Sequence, residues 1–124
     1  MLREFIEFII SVLKGVWGVV KKFFVRLFEY GKFVIDYFSI RERDQKYNNP
    51  SVLAAVVKVR LDEGEYNTVT CLDLEKDKYH VVSCFYDQSK GEVVDAQDIQ
   101  YVSADELDEE TENKFNGKEL LILG

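Results

Sequence analysis

The first 40 residues carry the most regular alternation of apolar and charged positions in the chain. At about 100° per residue, the charged side chains from Arg3 to Asp36 fall within a wedge of roughly 140°, and the remaining arc of roughly 220° is apolar. This pattern predicts one helix over residues 2–39, about 57 Å long at 1.5 Å per residue. Gly15 and Gly18 weaken such a helix, and Gly31 is the expected point of a bend or break.

The N-terminal pattern disfavours a transmembrane helix. Its longest uncharged runs, Phe8–Leu13 and Gly15–Val20, contain only six residues each, whereas a membrane span needs about 20 predominantly apolar residues. Glu7 and Lys14 interrupt the apolar run and no small-residue cleavage site follows, so we interpret the segment as part of the mature protein. A helix lying in the membrane interface, or packed against other helices, fits the pattern better.

A change of composition ends the helical pattern. Residues 41–51 begin with a charge cluster and continue into Asn48-Asn49-Pro50. Proline has no amide hydrogen and biases the preceding residue away from helix, which favours a linker here. We therefore predict an amphipathic helix over residues 1–40, a linker over 41–51 and an acidic β-domain over 52–124.

Strand patterns follow the linker. The predicted strands are Val52–Leu61, Tyr66–Leu74, Tyr79–Asp87, Glu92–Val102 and Leu120–Leu123. Ser103 is the expected N-cap of a short helix that ends at Asn116-Gly117. The predicted fold class is α+β: a long N-terminal amphipathic helix, then a small five-stranded, mostly antiparallel SH3-like or partly closed β-barrel with one short helix before the last strand.

Charge is divided unevenly between the two parts. The formal net charge is −7, with +2 in residues 1–44 and −9 in residues 45–124. An acidic C-terminal part is repelled by phosphate backbones, so we exclude nucleic acid as a partner. The run from Asp105 to Glu112 lacks the glycine and the ligand spacing of a calcium-binding loop, and is typical of a solvated helix start. Its second interpretation is a docking surface for a basic protein, formed by Asp105, Asp108, Glu109 and Glu112.

No motif in the sequence points to catalysis. Cys71 and Cys84 lie on the proposed hairpin and face each other if its turn is Asp77-Lys78, but two small buried side chains are favoured over a disulfide. His80 is the sole histidine, and its place in a strand favours a structural or surface role. There is no phosphate-binding glycine loop and no nucleophile elbow. We therefore expect no enzyme activity, no catalytic residue, no metal and no cofactor.

The apolar face of the N-terminal helix is the feature that suggests a function. A domain of about 73 residues has a radius of gyration near 11 Å, too small to cover a 57 Å helix. Three interpretations remain: contact with a membrane surface, contact with partner or self helices, or a bent helix folded onto the domain. The candidate interface residues are Phe5, Ile9, Leu13, Val16, Trp17, Val20, Phe23, Phe24, Leu27, Phe28 and Phe38.

Together these patterns predict a non-enzymatic interaction module. In the favoured hypothesis the amphipathic helix anchors the protein to a membrane surface or a helical assembly, which implies a cytoplasmic, membrane-associated location. The alternative is a soluble acidic inhibitor or adaptor whose carboxylates dock a basic partner. Neither hypothesis includes a small-molecule substrate.

Overall fold

The computed structural model describes residues 2–60 and 78–123, with side chains from residue 4 onward. The helices are α1 (Leu2–Gly15), α2 (Asp36–Arg41), which continues a π-helical turn at Gly31–Ile35, and α3 (Glu109–Phe115), with a 3-10 turn at Ala96–Asp98. The strands are β1 (Lys21–Phe28), β2 (Val52–Arg60), β3 (Tyr79–Asp87), β4 (Glu92–Val93), β5 (Gln100–Leu107) and β6 (Leu120–Leu123).

The six strands form one mixed sheet in the order β1-β5-β3-β2-β6, with β4 beside the end of β3. β1 runs parallel to β5, with Lys21 opposite Gln100, and the other neighbouring strands are antiparallel. The described strands leave the sheet open, with β1 at one edge and β6 at the other. The protein is therefore α+β, and the predicted five-stranded SH3-like barrel is not confirmed.

The prediction of one helix over residues 2–39 is wrong. α1 ends at Gly15, the chain turns, and residues 21–28 form the edge strand β1. Glycine is a poor helix former, which favours an end to the helix at this point. Phe23, Val25 and Leu27 are apolar at every second position, so the same segment also satisfies the period of a strand. Pairing with β5 selects the strand.

Each face of the sheet carries an apolar core. On one face, Ile6, Ile9 and Leu13 of α1 pack against Val57 and Val82. On the other, the helices that follow β1 and β5 bury the set Phe28, Phe33, Val34, Val56, Phe85 and Phe115. Strands covered on both faces read as continuous apolar runs, as β2 and β3 do. The most apolar stripe of α1 is thus covered by the protein's own sheet.

Several local predictions are confirmed. The strands Tyr79–Asp87 and Leu120–Leu123 have the predicted bounds, and the strand from Val52 ends at Arg60. The predicted strand Glu92–Val102 is instead divided into β4, the 3-10 turn and β5. The predicted strand 66–74 and Cys71 lie outside the described residues.

The N-cap of the short helix was assigned to the wrong residue. Ser103 lies within β5, and Asp108 caps α3 by accepting a hydrogen bond from the Thr111 N–H at 2.9 Å. The predicted end of this helix is confirmed, because Asn116 and Gly117 both adopt left-handed backbone conformations, with φ of 49° and 79°. The capping pattern at Ser103 failed because Ser103 pairs with both β1 and β3, and pairing with β1 extends the strand to Leu107.

Candidate interaction surface

Most of the apolar residues proposed as an interface lie in or beside the two cores. Ile9, Leu13, Val20, Phe28 and Phe38 are buried. The half-buried members are Phe5, Val16, Trp17 and Leu27. Phe23 and Phe24 are the two candidates that stay exposed. The face of α1 is therefore not available as a continuous contact surface, because the sheet already covers its apolar stripe.

The exposed candidates belong to an apolar surface along the outer edge of the sheet. We call this surface the β1 edge patch and define it by Val19, Phe23, Phe24 and Ile40, which are 67%, 38%, 71% and 72% exposed. Phe23 and Phe24 project to opposite faces of β1, because successive strand residues alternate. The patch therefore surrounds the strand edge on both sides. Sequence reasoning missed Val19 and Ile40, although Ile40 falls on the charged side of the helical projection, which was a usable signal.

A groove of about 410 Å³ borders the patch between the start of β1 and α2. Val19, Phe23 and Ile40 supply apolar walls, and charged side chains of both signs, among them Lys21 and Asp36, also line it. Such a mixture of apolar surface and polar rim is typical of protein contact surfaces.

Basic side chains follow the same strand edge. Lys22 lies over the Trp17 ring with its Nζ 4.7 Å from the ring centroid, and Trp17 in turn contacts Tyr101 edge-on at 5.0 Å. Arg26 donates to Glu106 Oε2 at 2.7 Å, yet its side chain remains largely exposed. The β1 edge patch thus combines aromatic groups with positive charge, in a protein whose net charge is negative.

The four carboxylates proposed as an acidic docking surface have different roles. Asp108 caps α3 and also accepts from the Tyr30 backbone N–H at 3.1 Å. Asp105 accepts from Lys78 Nζ at 2.8 Å. Glu109 and Glu112 are exposed on α3. Two of the four candidates are therefore engaged in holding the fold together.

A polar cluster ties α2 to the 3-10 turn on the adjoining face. Asp98 accepts two hydrogen bonds from Arg41, from Nε at 2.6 Å and from Nη2 at 2.9 Å, and one from the Tyr47 hydroxyl at 2.8 Å. The Tyr37 hydroxyl donates to the Asp98 carbonyl at 2.8 Å, and the Arg41 guanidinium lies 3.9 Å from the Tyr37 ring centroid. The two-point contact fixes the direction of the guanidinium.

The pKa values of Asp98, Tyr37 and Tyr47 in this cluster are all shifted away from neutral pH. The hydrogen bond from Arg41 holds the pKa of the Asp98 carboxyl below its usual value, and the Tyr47 hydroxyl adds to the effect. Burial raises the pKa of the Tyr37 and Tyr47 hydroxyls. General acid or base catalysis favours a group that titrates near the working pH. The arrangement of these three groups suits a structural tie better than proton transfer.

His80 and Cys84 are both buried in β3. His80 Nδ1 lies 2.7 Å from the Tyr101 hydroxyl, and the two rings stack with centroids 5.9 Å apart. Burial raises the pKa of the Cys84 thiol to about 12, which leaves it protonated and poorly nucleophilic at neutral pH. This environment matches the structural roles predicted for both residues.

Two further properties concern membranes and metals. Across residues 2–60 and 78–123, no helix has the length and apolar character needed to cross a bilayer. In the same part of the chain, histidine, cysteine, aspartate and glutamate side chains do not gather in a group of three able to hold a metal ion.

Comparisons with family models, with curated proteins and with solved structures find no match for this chain.

Proposed function

We propose that the protein is a non-enzymatic interaction module that binds a protein partner along the outer edge of β1. The observation that carries this proposal is an edge strand flanked by exposed Phe23 and Phe24. Edge strands present backbone N–H and C=O groups that another strand satisfies, and a partner strand added there gains main-chain hydrogen bonds. Exposed aromatic groups on both sides of the edge then supply apolar area to bury.

Attachment to a membrane surface, the first hypothesis from the sequence, has less support as the main function. Its basis was a continuous apolar helix face, and that face packs against the sheet in α1. The outer side of β1, with which no described strand pairs, is also poorly suited to lipid, because polar backbone groups without partners are costly in an apolar environment. Exposed Phe24 next to Lys21, Lys22 and Arg26 is the observation that keeps a lipid contact worth testing.

The alternative of an acidic inhibitor or adaptor rests on fewer carboxylates than the sequence suggested. Asp108 is used as a helix cap and Asp105 pairs with Lys78. Glu109 and Glu112 remain exposed, but a solvated helix start accounts for them equally well. We therefore place this alternative below the binding of a protein partner at the edge of β1.

Photo-crosslinking inside cells tests the proposal. Benzoylphenylalanine replaces Phe24, and in a matched control it replaces Ile122, an exposed residue on the opposite edge strand β6. We expect a discrete protein adduct from position 24 and none from position 122. Adding Phe23→Asp should remove the adduct, since a charged group disfavours burial of the patch.

Liposome flotation separates lipid from protein as the partner. The full chain is mixed with phosphatidylcholine vesicles prepared with and without phosphatidylglycerol. We expect the protein to remain at the bottom of the gradient with both. Flotation with the anionic vesicles that Phe24→Asp abolishes, together with no protein adduct at position 24, would overturn the proposal in favour of membrane attachment.

A further inference from the structure

The direction of the β1 backbone defines which groups face outward. Phe28 O accepts from the Asp108 N–H at 2.9 Å, so the backbone of Phe28 points towards β5. In a regular strand, N–H and C=O groups alternate between the two sides. The backbone groups of Phe23, Val25 and Leu27 therefore point away from the sheet, where no described strand pairs with them.

The side chains of β1 restrict how a second copy can pair there. A two-fold axis perpendicular to the sheet gives an antiparallel pair in which opposite residues share a face. Because residues of one face are spaced by an even number of positions, one residue must pair with its own copy across the axis. We describe that residue as lying on the axis. With Phe24 on the axis, Lys22 stands opposite the partner's Arg26. With Arg26 on the axis, the two arginines oppose each other. Like charges directly opposite are destabilising, which disfavours both registers.

The register centred on Val25 brings several complementary side chains opposite each other. Phe24 stands opposite Arg26, Phe23 opposite Leu27, and Lys21 opposite Glu29, which lies just beyond β1. Lys22 stands opposite Phe28, whose side chain is buried in the core, so Lys22 meets no like charge. The Phe24–Arg26 pair is suited to a cation–π contact, because both side chains are exposed on the same face. Lys21 and Glu29 are exposed and of opposite charge. In this register no basic residue of β1 faces another basic residue.

We infer that the partner is a second copy of this chain, paired antiparallel through β1 with Val25 on the two-fold axis. This inference rests on the proposed function and names its partner. Lysine and arginine on an edge strand ordinarily prevent such pairing. Here the spacing of the basic residues disfavours the registers centred on Phe24 and Arg26, whereas the register centred on Val25 places Arg26 opposite Phe24 and Lys21 opposite Glu29. The two open sheets then join into a single continuous sheet.

Sedimentation of the full chain over a concentration series tests the inference. We expect a monomer–dimer equilibrium in the wild type. Lys21→Glu and Glu29→Lys each place like charges opposite one another at two symmetric positions. Each single variant should weaken the dimer about tenfold, which corresponds to about 1.4 kcal/mol. The double variant Lys21→Glu with Glu29→Lys restores opposite charges and should recover dimerisation.

Two controls accompany this series. Lys90→Glu reverses a charge in the exposed turn after β3 and should leave the equilibrium unchanged. Circular dichroism of each variant confirms that the fold is retained.

Three results would overturn the inference. The first is a monomer at every concentration, and the second is a dimer that the single reversals do not weaken or the double variant does not rescue. The third is a species that grows beyond a dimer, as pairing of β1 with β6 would produce. A monomer whose position 24 still crosslinks to a different protein contradicts the second copy as partner but supports the proposed function. A monomer that forms no protein crosslink at position 24 contradicts both this inference and the proposed function.

Discussion

The contact between Arg41 and Asp98 allows a quantitative prediction for the stability of the fold. Replacing Asp98 with asparagine keeps the shape of the side chain but removes its charge and leaves one carbonyl oxygen for the guanidinium. Hydrogen bonds to charged groups contribute about 1.5–3 kcal/mol each. The Asp98 side chain is 35% exposed, so solvent screening reduces this contribution. We expect Asp98→Asn to lower the free energy of unfolding by about 2 kcal/mol, or about 8 °C in Tm for a chain of this size.

The pH dependence follows from the lowered pKa of Asp98. A carboxyl whose pKa is lower in the folded than in the unfolded state stabilises the fold above its unfolded value of about 3.9, and the contribution is lost as pH falls through the folded pKa. The difference between the wild type and Asp98→Asn should therefore be constant from about pH 5 to 7. It should begin to shrink below about pH 4, where Asp98 is first protonated in the unfolded state, and should be lost once the pH is below the folded pKa, where Asp98 is protonated in both states.

Urea unfolding followed by tryptophan fluorescence and circular dichroism measures this difference at each pH. Asp36→Asn, which neutralises an exposed carboxylate on α2, the helix that carries Arg41, is the matched control. The reasoning is refuted if Asp98→Asn differs from this control by less than about 0.5 kcal/mol at pH 7, the range of ordinary surface substitutions. It is also refuted if the difference persists undiminished at pH 2.

Three further predictions test the placement of individual side chains. Phe28→Ala should cost about 3–5 kcal/mol in urea unfolding because Phe28 is fully buried, whereas Phe24→Ala should change the stability of the monomer by about 0.5 kcal/mol or less; equal losses would contradict the burial of Phe28 and the exposure of Phe24. Asp108→Ala should cost about 1–2 kcal/mol through loss of the bond to Thr111 N–H, and Asp108→Asn should recover most of it, as thermal unfolding will report. Iodoacetamide should modify the Cys84 peptide only in urea, because the thiol is buried; rapid modification of the native protein, read by mass spectrometry, would be inconsistent with this.

Local chemistry was enough to predict several elements of the fold. Tyr79–Asp87 is rich in β-branched and aromatic residues, and the turn that follows it ends at Gly91, which adopts a positive φ of 66°. Asn116-Gly117 ends α3 for a similarly local reason, because both residues tolerate the left-handed backbone conformation. Signals of this kind act within a few residues, so they can be recognised without knowing the rest of the structure.

The fate of the N-terminal segment depended on distant residues. Lys21–Phe28 satisfies both a helical and a strand period, and its neighbour β5 begins at Gln100, far along the chain. The wide apolar arc on the helical projection arises because the helical period was applied to a segment that contains both a helix packed on the sheet and a strand of that sheet. Local propensity cannot decide between the two structures when the pairing that stabilises one of them is not local.

The predicted interface differs from the observed exposed surface because contacts with distant residues decide which side chains are buried. The sequence alone determined that residues 1–40 hold a large apolar area, but only the tertiary structure decided which part of it is covered. Ile9 and Leu13 are buried because the sheet packs against α1, whereas Phe24 is exposed because β1 lies at the edge of that sheet. An apolar side chain is buried or exposed according to what packs against it, and the order of strands in the sheet sets that.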